Sequence, residues 1–140
     1  MNREPVFATA LDCMDGRTKT PMSKMIKNLK FDYADVITEP GIDGILAGNK
    51  QSNFSGEITL LTSWIKYKVW ISIFKHTSQA IFITGHADCA GNLDSQERVD
   101  LTKAIELVRK WVKGWKKNIP VTGIWVDQVN NEWQIKEEIK

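Results

Sequence analysis

Four short apolar runs recur along this chain with helix-period segments between them, and that alternation constrains the fold more than any other feature. Residues 5–11, 33–38, 79–84 and 121–126 are each strand-length, bounded by polar or turn-forming residues, and read as buried strands. Between the first two, Pro21 can open a helix whose apolar face is Met22, Met25, Ile26 and Leu29. Pro40 and Gly41 stop the second run, and a short helical turn is expected over 42–47 before a Gly-, Asn- and Ser-rich loop. The span 57–76 is the longest helical candidate. Asp94 or Ser95, with Glu97 at capping-box spacing, can open the next helix, which has Leu101, Ala104, Ile105, Val108, Trp111, Val112 and Trp115 on one face. Lys113, Lys116 and Lys117 suit its C-terminal end. Asn130 and Asn131 fit a hairpin turn into an alternating edge strand over 133–137. The expected architecture is α/β: a mostly parallel four-stranded sheet with helices on both faces and an antiparallel C-terminal edge strand. No linker or repeat divides the chain, so residues 1–140 are read as a single domain.

The helix over 57–76 carries two apolar stripes, Ile58-Leu61-Ile65-Val69-Ile73 and Leu60-Trp64-Tyr67-Ile71-Phe74. One stripe can cover the sheet. The other needs a second cover, and a domain this small has few helices to supply it, so a homodimer or higher homo-oligomer is expected. The six tryptophans all fall in predicted helices or strands, where core or subunit contact accounts for them. A net charge of +2 is too small to argue for a nucleic-acid partner. No segment is long and apolar enough to span a bilayer, and the opening Met-Asn-Arg-Glu lacks the apolar stretch of a secretion signal, so no membrane partner and a cytoplasmic location are expected. Thiols stay reduced there, which makes the two cysteines better suited to metal or chemistry than to a disulfide.

Those cysteines sit at informative places. Cys13, in Cys13-Met14-Asp15-Gly16-Arg17, follows the first apolar run, and His86-Ala87-Asp88-Cys89 follows the third. In parallel α/β sheets ligands bind beyond the carboxyl ends of strands, where both segments lie. Cys13, His86 and Cys89 offer two sulfurs and one nitrogen, a donor set suited to zinc. Three protein ligands leave a fourth tetrahedral position for water, as in a catalytic site. Asp15 and Arg17 can point from one loop toward the same place, with the arginine fork keeping the carboxylate ionised. Asp15 can then orient the zinc-bound water, or displace it as a fourth ligand. A phosphatase loop is excluded by spacing, because it needs five residues between cysteine and arginine and here there are three.

Together the two segments resemble the Cys-x-Asp-x-Arg and His-x-x-Cys pair of the β-class carbonic anhydrases, and the resemblance extends over most of the chain, through Gly123-Ile124-Trp125-Val126-Asp127 into the closing hairpin. It implies reversible hydration of carbon dioxide to bicarbonate by a zinc-bound hydroxide. Cys13, His86 and Cys89 would be the ligands and Zn2+ the cofactor, while Asp15 and Arg17 would form the dyad that opens or closes the water position. The same fold can host hydrolysis of carbonyl sulfide or carbon disulfide, and a chain with Asp15 locked on the metal would be a non-catalytic zinc or bicarbonate binder. The chain departs from the family pattern in places. Only twelve residues precede Cys13, where members carry a longer helical arm. Thr38-Glu39-Pro40-Gly41 replaces the usual Arg-Asn-Ala-Gly run, and Glu39 would disfavour an anion if it faced the pocket. Gly16 stands for a common serine, and Ala90 for the glycine that usually follows the second cysteine. His76, ending the long helix, is expected to be a surface or capping residue, with a proton-shuttle role as its alternative.

Overall fold

The computed structural model describes residues 2–49, 58–92 and 98–140. Five strands form one sheet in the order β2-β1-β3-β4-β5: β1 Phe7–Cys13, β2 Tyr33–Glu39, β3 Ile81–His86, β4 Val121–Val129 and β5 Glu132–Ile139. The first four are parallel and β5 pairs antiparallel with β4. The expected parallel set and antiparallel edge strand are therefore both present, as five strands of one sheet. The helices are α1 Lys19–Asn28, α2 Ile42–Leu46, α3 Ile58–Lys75 and α4 Arg98–Gly114. The expected cap at Asp94, Ser95 and Glu97, the start of the long helix at Glu57, and Gly56 with most of its loop lie outside the described residues.

The strand order explains where the helices go. The chain steps from β1 to β2 on one side, then returns past β1 to β3, and right-handed crossovers send the two connections to opposite faces. Two apolar layers result. Leu11, Ile37, Ile81 and Ile83 pack under α2, α3 and α4, while Ala8, Ala10, Phe82, Ile124 and Val126 pack under Met22, Met25 and Ile26 of α1. β1 and β3 are covered on both faces, which is why their sequences are continuous apolar runs rather than alternating ones.

Both central strands run two residues further than their apolar runs, through Asp12-Cys13 and Gly85-His86. Ladder bonds supply the reason: Cys13 is in register with Glu39, and His86 with Val126. Cys13 and His86 are thus the last residues of their strands rather than loop residues. Pro21 is the third residue of α1, not its opener, and its missing N–H falls within the first turn where none is needed. Asn130 and Asn131 both adopt positive φ, the conformation a two-residue hairpin turn requires.

A register shift between Trp125 and Val126 decides what β5 does. Trp125 pairs with Glu137 and Val126 with Ile135, leaving Lys136 as the extra residue of a bulge. Side chains of equal parity on either side of it therefore reach opposite faces. Trp133 and Ile135 join the α1 layer, whereas Ile139 packs on the α4 layer. Among the described residues, no helix is long and apolar enough to cross a membrane.

Candidate metal centre

The reversal of strand order falls between β1 and β3, whose carboxyl ends carry Cys13 and His86. Strands on either side of such a point send their connections to opposite faces, which opens a crevice between them. Cys89 arrives from the turn after β3. Asp88 takes a left-handed conformation (φ 53°), which bends the chain back so that Cys89 rejoins Cys13. The donor atoms of Cys13, His86 and Cys89 all lie within 4.8 Å of one another, and all three residues are buried. These three can hold a metal ion.

Local chemistry favours that reading over an inert core. The two sulfurs stand 3.8 Å apart as free thiols, far beyond the roughly 2.05 Å of a disulfide. His86 Nδ1 lies 2.8 Å from the carbonyl oxygen of Ala87, which fixes it as the protonated nitrogen. Nε2 is then left with a free lone pair, buried and without a hydrogen-bond partner among the described residues. The backbone N–H of Gly41 donates to Cys13 Sγ at 3.3 Å. Hydrogen bonding from Cys89, only partly opposed by burial and assisted by the neighbouring His86 ring and by the backbone N–H groups of Gly41 and Asp15, pulls the Cys13 thiol well down. The same contact with an already anionic Cys13, together with burial, pushes Cys89 up. The pair surrenders one proton readily and holds the second until a cation compensates it. Burial works to lower the His86 pKa, but the Cys13 thiolate, the Ala87 carbonyl and nearby Asp15 outweigh it and raise the value.

Asp15 and Arg17 form the expected fork. Asp15 caps a 3₁₀ turn over Gly16–Thr18, its Oδ1 accepting from the backbone N–H of Arg17 at 2.9 Å. Arg17 Nε donates to Oδ1 at 3.0 Å and to Oδ2 at 3.1 Å, and Nη2 donates to Oδ2 at 2.6 Å. Hydrogen bonding from Arg17 holds the Asp15 carboxyl well below the usual carboxylate range, and the guanidinium is raised in turn. Asp15 Oδ2 is 4.0 Å from His86 Nε2, so the carboxylate borders the cluster while bonded to the arginine. Arg17 is itself anchored by Asp88, with Nη1 donating to its carboxylate at 3.2 Å and Nη2 to its carbonyl at 3.0 Å. The two motifs are thereby tied to each other directly.

Two loops close around the cluster by backbone contact. Gly41 has φ +61°, and a Cβ there would lie 2.4 Å from the carbonyl oxygen of Gly91; one on Gly91 would lie 2.5 Å from the carbonyl carbon of Pro40. Only glycine permits that approach, which brings the Gly41 N–H onto Cys13. The close-packing glycine after the second cysteine is thus Gly91, one place beyond Ala90. Glu39 is paired with Lys68 of α3 at 3.5 Å, so its charge is met across the α3 face.

Several residues around the cluster have no signal in the sequence. Asp43, buried in α2, sets its carboxylate against Gly85, where a Cβ would come within 2.9 Å of Oδ2. Burial raises this carboxyl to about 6, and Asp100 adds to the effect. Asp100 in turn accepts from Asn49 at 2.6 Å and Asn92 at 3.1 Å. Trp133 of β5 covers the Arg17 guanidinium at 4.4 Å and meets His86 edge-on at 6.4 Å. The pattern of β5 shows only an aromatic on an edge strand. His76 lies at the opposite end of the sheet, against Phe7 and bonded to Asp35 at 2.8 Å. The length of β1, roughly 20 Å, separates it from the cluster and removes the shuttle alternative.

Fold and site define a class: an α/β protein with a metal-competent Cys-His-Cys cluster at the switch point of a mostly parallel sheet. The family described as "Putative carbonic anhydrase" matches residues 3–138, and the chain belongs to it. No curated protein matches the chain.

Proposed function

We propose that the chain is a zinc-dependent enzyme that hydrates carbon dioxide reversibly to bicarbonate. The observation that carries this reading is the sulfur–sulfur distance. Two thiolates at about 2.3 Å from one tetrahedral ion stand about 3.8 Å apart, and Cys13 and Cys89 are separated by 3.8 Å. The unpartnered His86 Nε2 offers the third donor. Cys13, His86 and Cys89 would hold the zinc, which would supply hydroxide at neutral pH by lowering the pKa of a bound water to about 7.

The remaining residues act on proton and substrate position. Arg17 keeps Asp15 ionised and bonded to itself, so beside a bound ion its carboxylate would serve as a hydrogen-bond acceptor rather than as a further ligand. This arrangement favours the catalytic reading over a non-catalytic binder with Asp15 on the metal. Pairing of Glu39 with Lys68 lessens the electrostatic objection to a bicarbonate product. Free, closely spaced thiols suit a reducing cytoplasmic setting.

We further propose a homodimer through α3. Its inner stripe is buried at Ile65, Val69 and Ile73, while Leu60, Trp64 and Tyr67 of the outer stripe are each half or more exposed. The test of the activity is oxygen-18 exchange between carbon dioxide and water, followed by mass spectrometry on zinc-loaded protein. Accelerated loss of label supports a hydratase. Loss at the uncatalysed rate, with sulfide released from carbonyl sulfide or carbon disulfide instead, transfers the site to the other substrates.

A further inference from the structure

We propose that Trp133 is a positioning residue that latches Arg17, and through it Asp15, from the C-terminal hairpin. Every donor-bearing nitrogen of the Arg17 guanidinium is already committed: Nε to Asp15, Nη2 to Asp15 and the Asp88 carbonyl, and Nη1 to the Asp88 carboxylate. These bonds all run to Asp15 and Asp88, so the hydrogen bonding leaves the face of the guanidinium to other contacts. Arg17 Cζ stands over the face of the Trp133 ring, 4.4 Å from its centroid, and this contact is the restraint on the guanidinium that the indole supplies. The same ring stands at 79° to His86, so one indole borders both the arginine and the third donor of the cluster.

Trp133 packs against the α1 layer and also carries the Arg17 contact. Trp133 is only half-buried, and it also lines a groove of about 490 Å³ shared with Thr20, Pro21 and Met25 of α1. The hairpin register places it, with Trp133 paired to Gln128 next to the turn. With Lys136 as the extra residue, Trp133 and Ile135 take the α1 face while Ile139 takes the other. The hairpin thereby connects a strand remote in sequence to the Asp15–Arg17 fork.

The role in turnover rests on the hydratase reading, whereas restraint of the guanidinium does not, so the experiment measures both. Full-length protein carrying Trp133→Leu or Trp133→Phe is compared with the unaltered chain by zinc content, by solvent exchange of the Arg17 Nε–H in nitrogen-15 NMR, and by carbon dioxide hydration. Trp133→Leu should keep one zinc per chain, speed Nε–H exchange by about tenfold and lower kcat by a similar factor with KM little changed, the scale of one lost cation–π contact. Trp133→Phe keeps an aromatic face and should stay within about threefold on both measures. Trp133→Met replaces the leucine variant if that one fails to fold. Exchange unchanged in the aliphatic variant overturns the latch even if hydration falls. Loss of zinc together with exchange protection also overturns it, because Trp133 would then be supporting the whole site. Faster exchange in a protein that does not hydrate carbon dioxide leaves the latch standing and removes only the hydratase reading.

Discussion

The sulfurs of Cys13 and Cys89, 76 residues apart in the chain, face each other at 3.8 Å without a covalent bond. One cysteine ends β1 and the other follows β3, so the contact exists only because those strands are neighbours at the switch point. Without a cation the pair keeps one of its two protons. One thiolate forms easily and the second is opposed by the first and by burial.

Ligand replacement should therefore separate metal binding from chemistry. Cys89→Ser is expected to lose stoichiometric zinc, measured by plasma mass spectrometry after dialysis. Asp15→Asn should retain it while turnover falls, because Asp15 is bonded to Arg17 rather than placed among the three donors. Full zinc occupancy in Cys89→Ser would show the donor set to be wrong.

Arg17→Lys tests the fork. A lysine keeps the charge but cannot make parallel bonds to Asp15 while also reaching both acceptors of Asp88. Zinc content should hold and hydration should fall by about ten- to a hundredfold. An unchanged rate would mean that charge alone suffices.

Gly41→Ala joins two penalties, a left-handed backbone and a Cβ driven against the Gly91 carbonyl. A loss of at least ~2 kcal/mol is expected in urea unfolding, with weakened zinc affinity as the Gly41 N–H leaves Cys13. Stability within ~0.5 kcal/mol of the unaltered protein would contradict the close approach of the two loops.

Asp43 gives the metal-free protein a pH dependence of definite sign. Its folded pKa is about 6 against an ordinary 3.8, chiefly through burial; Asp100 and Cys13 raise it further, while the Gly44 N–H and His86 oppose the shift. The folded state holds the proton longer than the unfolded one. The stability due to this group is complete below the unfolded value and declines as pH rises through about 6, by up to ~3 kcal/mol. Asp43→Asn should flatten that decline in unfolding curves between about pH 4 and about pH 8. An equal slope in both proteins would assign the effect elsewhere.

The outer stripe of α3 is open to a separate test. Trp64→Glu combined with Tyr67→Glu disturbs a stacked aromatic pair on the surface and touches none of the buried residues of the helix. Sedimentation should show a dimer becoming a monomer. A monomer before substitution would remove the proposed interface.

Much of this was legible in the sequence because it was local. Apolar runs marked the strands, and the Asp15–Arg17 fork spans only two residues, so one turn suffices to form it. What escaped depends on register and long-range approach. The polar ends of β1 and β3 look like loop, yet ladder pairing holds Cys13 and His86 extended. Trp133 reaches Arg17 only through the pairing of β5 with β4, which the alternation of β5 does not disclose. Asp43 reads as an ordinary helix residue until its approach to Gly85 is known. Glu39 was ambiguous for the same reason, because the lysine that pairs with it comes from α3.

The central claim is a hydratase whose activity depends on zinc at Cys13, His86 and Cys89. Stopped-flow hydration of carbon dioxide during zinc titration of metal-free protein tests it most directly. The account predicts a rate that climbs in proportion to bound zinc and levels off at one ion per chain. A fully zinc-loaded protein whose rate matches buffer alone would contradict it.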